Sequence, residues 1–112
     1  MAYQREMLAA FSEPTRQIIL ERLGRKSRTV GELARELPIS RPAVSQHLKV
    51  LKLAGLVEER RRGSRHYFHL NPATLAELRA HIDGMWQDAL AAFSEYSKEH
   101  STQERKARTP KR

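Results

Sequence analysis

Apolar positions recur along this chain at helical spacings, and the recurrence is broken at Ser12-Glu13-Pro14, Gly24, Pro38-Ile39 and Gly55. Residues 3 to 11 set Met7, Leu8 and Phe11 on one side of a short helix. Pro14 suits the first turn of the next helix, where its missing N–H would have no intrahelical partner anyway. That helix is expected to run to about Leu23, with Ile18, Ile19 and Leu23 in the core and Gly24 as its stop. Thr29-Val-Gly-Glu32 has the spacing of a capping box and opens a helix carrying Leu33, Ala34 and Leu37. After the Pro38-Ile39 turn, Ser40 is placed to cap a helix over 41–54 whose first turn tolerates Pro42. In it Val44, Leu48 and Leu51 fall at i, i+4 and i+7 and face inward. Pro42, Ser45, Gln46, Lys49 and Leu53 take the opposite face, with Arg41 and Lys52 on the flank.

The period then changes. Leu56 to Arg60 and Arg65 to Leu70 read as two short strands joined by Arg61-Arg62-Gly63-Ser64, where Gly63 supplies the positive φ of a tight hairpin. Asn71-Pro72 begins a long helix with Leu75, Leu78, Ile82, Met85, Trp86, Ala89, Leu90 and Phe93. The 3-4-3-4 spacing of 75, 78, 82, 85 and 89 is that of a short coiled-coil-like seam. The predicted fold class is mainly α with a small β-hairpin, in the order α-α-α-α-β-β-α. One domain is expected over 1–97, followed by a basic, disordered tail over 98–112.

Charge sharpens this picture. The formal net charge of +8 favours a polyanionic partner. Residues 41–66 hold seven Lys/Arg against Glu58 and Glu59, and residues 101–112 hold five against Glu104, whereas residues 67–100 sum to −3. The positive field therefore sits on the helix 41–54, the hairpin and the tail. With no cysteine in the chain, disulfides, thiol redox sensing and thiolate metal sites are excluded, and a reducing cytoplasm fits. No apolar run approaches the ~18 residues of a membrane span. At 112 residues the core is thin, and self-association would enlarge it.

Several stretches in this order carry a family resemblance. They are Glu13-Pro14-Thr15-Arg16 with the Ile-Ile-Leu that follows, Glu32-Leu33-Ala34, Ser40 through Val57, and the basic hairpin Arg61 through Leu70. From about Met7 to Phe93 the chain resembles the ArsR/SmtB-type family of small dimeric winged helix-turn-helix repressors. It departs from that family in having Glu13 where Asp is common, and Ser64 rather than Arg straight after the wing glycine. Metal-sensing members place cysteines in the helix matching Glu32 to Leu37, and this chain has none. The order of His81 and Asp83 is the reverse of that in the branch with ligands on its last helix. Within the family the chain is most similar to the metal-independent members, so the resemblance implies no metal and no cofactor. It also implies a dimer built on the first and last helices, through Met7, Phe11, Leu78, Ile82, Trp86, Leu90 and Phe93.

On this frame the helix 41–54 enters the DNA major groove and the wing 56–70 holds the backbone beside it. Arg41, Ser45 and Gln46, with Pro42 on the same surface, are the candidates at the bases, since Arg pairs with guanine and Gln with adenine in a bidentate way. Lys49 and Lys52 are candidates for phosphate. Thr29 and Ser40 are caps that can also face phosphate. Arg60, Arg61, Arg62 and Arg65 crowd one hairpin, where an anion would offset their repulsion. His47, at the edge of the inward face, reads as a packed, hydrogen-bonded histidine. There is no catalytic residue to name, because the chain has no glycine-rich phosphate loop and no nucleophile–base set.

The resulting expectation is a homodimeric, sequence-specific DNA-binding regulator that represses from an inverted repeat. A small-molecule effector would act by changing the spacing of the two reading helices. The alternative is an architectural DNA-binding protein without sequence preference. A winged helix used for protein contact is disfavoured by the arginine wing, since protein interfaces shed charge at their centre.

Overall fold

The computed structural model of the chain describes residues 2–107. They form α1 (Ala2–Ser12), α2 (Pro14–Arg25), α3 (Val30–Glu36), α4 (Arg41–Leu53), β1 (Val57–Arg62), β2 (Arg65–Leu70) and α5 (Pro72–Ala107). The order α-α-α-α-β-β-α is the expected one, and the fold is a winged helix-turn-helix. The chain divides into two compact units, Met1–Leu78 and Arg79–Arg112, and the division falls within α5.

The core of the first unit draws on nearly every element. Met7 of α1, Ile19 of α2, Leu33 of α3, Val44, Leu48 and Leu51 of α4, and Leu56 and Val57 at the start of the hairpin are all fully buried. The inward stripe of α4 is the predicted one. In α2 the stripe is Ile19, Leu20 and Leu23, and Ile18, expected in the core, is 44% exposed. Each residue turns a helix by about 100°, so the position before the stripe faces away.

Gly24 does not stop α2 as expected. The helix continues through it to Arg25, and Lys26 ends it in extended backbone with its N–H on the Arg22 carbonyl at 3.2 Å. That extension leads to a pairing that the sequence pattern does not announce. Arg28 bridges Phe68 of β2 in antiparallel fashion, Arg28 N–H to Phe68 O at 3.1 Å and Phe68 N–H to Arg28 O at 2.8 Å. A single bridged residue has no alternation from which a strand could be predicted.

The hairpin is longer and tighter than predicted. Arg61 and Arg62 belong to β1, and pairing runs from Val57↔Leu70 to Arg62↔Arg65. This leaves Gly63-Ser64 as a two-residue turn, with Gly63 at φ +62. Such turns match the right-handed twist of paired strands, and the first residue needs the left-handed region. The Asn71 N–H bonds the Leu56 carbonyl at 3.0 Å, and Asn71 Oδ1 accepts from Thr74 N–H at 3.3 Å, so the expected cap of α5 also closes the hairpin's base.

In the second unit α5 continues past Ser97 to Ala107, so the segment expected to be a disordered tail from residue 98 is helical that far. His100 Nδ1 lies 2.9 Å from the Tyr96 carbonyl, and the two rings stack at 3.7 Å. The rest of the expected tail, 108–112, lies outside the described residues.

Candidate nucleic-acid interface

Side-chain caps set α2, α3 and α4, and each follows from a polar acceptor three residues ahead of an N–H. Glu13 Oε1 accepts from Arg16 N–H at 2.7 Å, so Glu performs the cap where the family commonly has Asp. That backbone bond is the main reason the Glu13 carboxyl is held below its ordinary pKa. Thr29 Oγ1 accepts from Glu32 N–H at 3.1 Å while Glu32 Oε1 accepts from Thr29 N–H at 2.8 Å, completing the predicted capping box. Ser40 Oγ accepts from Ala43 N–H at 3.2 Å and starts α4. Thr29 and Ser40 are thus caps, and both hydroxyls already serve their own helices.

With Val44, Leu48 and Leu51 buried beneath it, α4 presents Arg41, Pro42, Ser45, Gln46, Lys49, Lys52 and Leu53 to solvent. All the α4 residues expected at DNA therefore share an open surface. Arg41 has an unexpected neighbour: its guanidinium lies over Gly31 of α3, where a Cβ would come within 2.6 Å of Nη2. His47 is half-buried, as expected, and meets Arg16, whose Nη1 lies 3.4 Å from His47 Nδ1. The same guanidinium donates from Nε to the Ala10 carbonyl at 2.6 Å and from Nη2 to the Ala9 carbonyl at 3.4 Å. It thereby satisfies carbonyls at the end of α1, which have no partner within their helix.

Strand register sorts the wing arginines. Side chains alternate across a strand, so Arg60 and Arg62 share a face with Arg65 and Tyr67, while Arg61 shares the other with His66 and Phe68. Arg62 and Arg65 stand directly opposite each other, a like-charge pairing that disfavours the hairpin unless an anion is near. The Arg62 guanidinium lies 5.9 Å over the Tyr67 ring. Arg61 Nε donates to the Gly63 carbonyl at 2.8 Å and braces the turn.

The two acidic residues of β1 are both engaged. Glu58 meets His69 at 3.0 Å. Glu59 accepts from Lys52 Nζ at 2.8 Å on one oxygen and lies 2.7 Å from His66 Nδ1 on the other. The Lys52 bond is the largest influence holding the Glu59 carboxyl below its ordinary pKa. Below the wing, Glu36 takes Arg22 at 2.8 Å and Arg28 Nε at 2.7 Å. Arg28 also donates from Nη1 to the Lys26 carbonyl at 2.9 Å and to the Arg22 carbonyl. The sequence assigns no such role to Gly31, Glu59 or Arg16, because their partners lie on other elements and no local spacing marks the pairs.

The residues expected at a dimer interface divide. Met7 and Leu78 are 0% and 2% exposed within the first unit, so they have no surface to offer a partner. Their periodicity marks them correctly as apolar, but the chain's own core takes them. Phe11 and Ile82 are half-buried, and Trp86, Leu90 and Phe93 are exposed, the aromatics at 64% and 65%. Among the described residues no three His, Cys, Asp or Glu side chains group to hold a metal, and no helix is long and apolar enough to cross a membrane.

Residues 13–59 match the family described as bacterial regulatory protein, arsR family. The HTH-type transcriptional regulator Rv2034 of Mycobacterium tuberculosis is 51% identical over 86 residues, 77% of this chain and 80% of that protein. The chain belongs to the ArsR family. The transcriptional repressor SdpR of Bacillus subtilis is 38% identical to this ArsR-family chain, over 61% of the chain and 76% of SdpR. An ArsR-like transcriptional regulator from Rhodococcus sp. RHA1 superposes with a TM-score of 0.70 at 33% identity, over 86% of this chain and 93% of that one. The homodimeric winged helix-turn-helix DNA-binding domain Mb0332 from Mycobacterium bovis superposes at 0.64 with 28% identity, over 80% and 82%. This ArsR-family chain is accordingly a transcriptional regulator with a DNA-binding winged helix-turn-helix domain.

Proposed function

We propose that this ArsR-family chain is a homodimeric repressor that reads an inverted-repeat operator with α4 and grips the flanking backbone with the wing. The observation that carries the reading is the joint exposure of Arg41, Ser45, Gln46 and Lys49 on α4 beside a hairpin crowded with Arg60, Arg62 and Arg65. Polar groups on the groove-facing side of a helix supply base discrimination of ~1–3 kcal/mol per good bidentate pair. The wing arginines supply the phosphate attraction that positions the helix. Dimerisation draws support from Trp86, Leu90 and Phe93, three large apolar side chains exposed on α5, a surface that a partner would cover. The homodimeric form of Mb0332 points the same way. In the dimer the two reading helices fall one duplex turn apart, ~34–36 Å. The repressor role draws on the similarity to the repressor SdpR and on the simplest consequence of such binding, the exclusion of polymerase from the promoter.

The test is a titration of the chain on the DNA upstream of its own gene and on scrambled DNA of equal length, at two salt concentrations. Preference for its own DNA by ~10³ or more supports an operator-specific regulator. Equal binding of both, with equal salt slopes, overturns it in favour of an architectural DNA-binding protein.

A further inference from the structure

Lys52 stands on the last turn of the reading helix, where its charge would ordinarily be counted among the phosphate contacts. Its ammonium is instead committed. Glu59 Oε1 takes it at 2.8 Å, and the second oxygen of the same carboxylate is held by His66 Nδ1 at 2.7 Å. The carboxylate is the more enclosed partner, with a side chain 26% exposed against 53% for each of the other two. It therefore sits between α4 and the hairpin, with His66, diagonally across from Glu59 in the register, beside its second oxygen. Lys49, one turn earlier on the same helix, forms no ion pair among the described residues.

We propose that Glu59 is a positioning residue of the DNA-binding surface, which withholds Lys52 from phosphate and uses it to fasten the end of α4 to the wing. The cause is electrostatic. An isolated exposed ion pair is weak, so geometry alone would not keep Lys52 in place. Yet pulling Lys52 onto a phosphate leaves the Glu59 carboxylate uncompensated beside that same phosphate. The exchange trades one anion for another and adds a like-charge repulsion. A neutral Lys52–Glu59 pair releases no condensed counterion, whereas a lysine that neutralises a phosphate releases about one. The pair also explains why a segment of such strong positive charge contains Glu59 at all: its negative charge weakens general attraction to DNA and fixes the angle between the helix and the wing. The inference rests on the DNA-binding reading of α4 and the wing, and needs neither the operator nor the dimer.

The experiment measures the salt slope of binding to a random-sequence duplex, by fluorescence anisotropy between 50 and 200 mM salt, for the full chain and four variants. Lys49→Gln is expected to reduce the slope by about 0.9 per bound chain, a roughly 3.5-fold smaller loss of affinity across that range. Lys52→Gln is expected to leave the slope as it is. Glu59→Gln is expected to raise it by about 0.9, because it frees Lys52, and Glu59→Gln with Lys52→Gln returns it to the starting value. A merely structural role for Glu59 would change affinity without this reversible step in slope. The inference is overturned if Lys52→Gln alone lowers the slope as Lys49→Gln does, or if Glu59→Gln leaves it unchanged. Should Lys49→Gln and Lys52→Gln both leave the slope unchanged, with Glu59→Gln failing to raise it, α4 does not lie on the DNA, and the DNA reading of that helix falls first.

Discussion

Arg16 and His47 meet at 3.4 Å, the one from the first turn of α2 and the other from the middle of α4. Because Arg16 also holds the Ala9 and Ala10 carbonyls, one guanidinium ties the end of α1 to α4. Hydrogen bonds from a charged donor contribute more than neutral ones, and losing the donor leaves partly buried acceptors unpaired. Arg16→Ala is expected to lower unfolding free energy by about 1–3 kcal/mol, measured by urea denaturation. Arg16→Lys, which keeps the charge but loses the planar fork, should recover only part of it. A wild-type midpoint for Arg16→Ala would show the contacts to be incidental.

Gly31 underlies Arg41, and a methyl group there meets the tip of a flexible side chain rather than backbone. Gly31→Ala is therefore expected to keep stability within about 1 kcal/mol, since alanine also favours the helix. It should nonetheless displace the guanidinium, so Gly31→Ala and Arg41→Ala are expected to weaken binding to the chain's own upstream DNA alike. The double variant should cost no more than either single one. Full affinity in Gly31→Ala would separate the glycine from the function of Arg41.

Gly63 has open space where a Cβ would stand, with nothing within 4 Å, yet its φ is +62. Any penalty there is backbone strain alone. Gly63→Ala is expected to cost about 1–2 kcal/mol of stability, and Gly63→Asn less, because Asn tolerates the left-handed region. Equal stability of all three by thermal unfolding would mean that the turn adopts another form.

The Glu36 carboxyl is held below its ordinary value of 4.5, first by its bond from Arg28 and then by that from Arg22. A carboxyl depressed in the folded state contributes stability above its unfolded pKa and loses it as pH falls through the folded one. Unfolding free energy should thus decline as pH drops below about 4.5, and Glu36→Gln should make that decline shallower while lowering stability near neutrality. Unchanged acid dependence in Glu36→Gln would locate the loss in Glu13 and Glu59, which are depressed by Arg16 and Lys52 respectively.

Trp86, Phe93 and Tyr96 are the exposed aromatics of α5 among the described residues. If that surface is the dimer interface, Trp86→Glu should weaken association by at least ~2 kcal/mol, about thirtyfold in dissociation constant. Sedimentation velocity over a concentration series reads this directly. Sedimentation identical to wild type would move the interface elsewhere.

Much of this chain can be read without its structure. The caps at Thr29 and Ser40, the inward stripe Val44, Leu48 and Leu51, and the positive φ of Gly63 are all local. Each depends on a spacing of a few residues, and backbone hydrogen bonding makes such spacings binding wherever the segment lies. The open face of α4 follows from the same period, which is why its DNA candidates emerge together. What the pattern does not supply is the partner of each surface. Arg28 pairs with Phe68, Arg16 with His47, Gly31 with Arg41, and Lys52 with Glu59 and His66, all across elements. An apolar period likewise marks Met7, Leu78 and Trp86 alike, and only packing puts the first two in the chain's own core and leaves the third outside. Periodicity states which side of an element avoids water; which neighbour covers it, and which charge meets which, is decided when the elements close on one another.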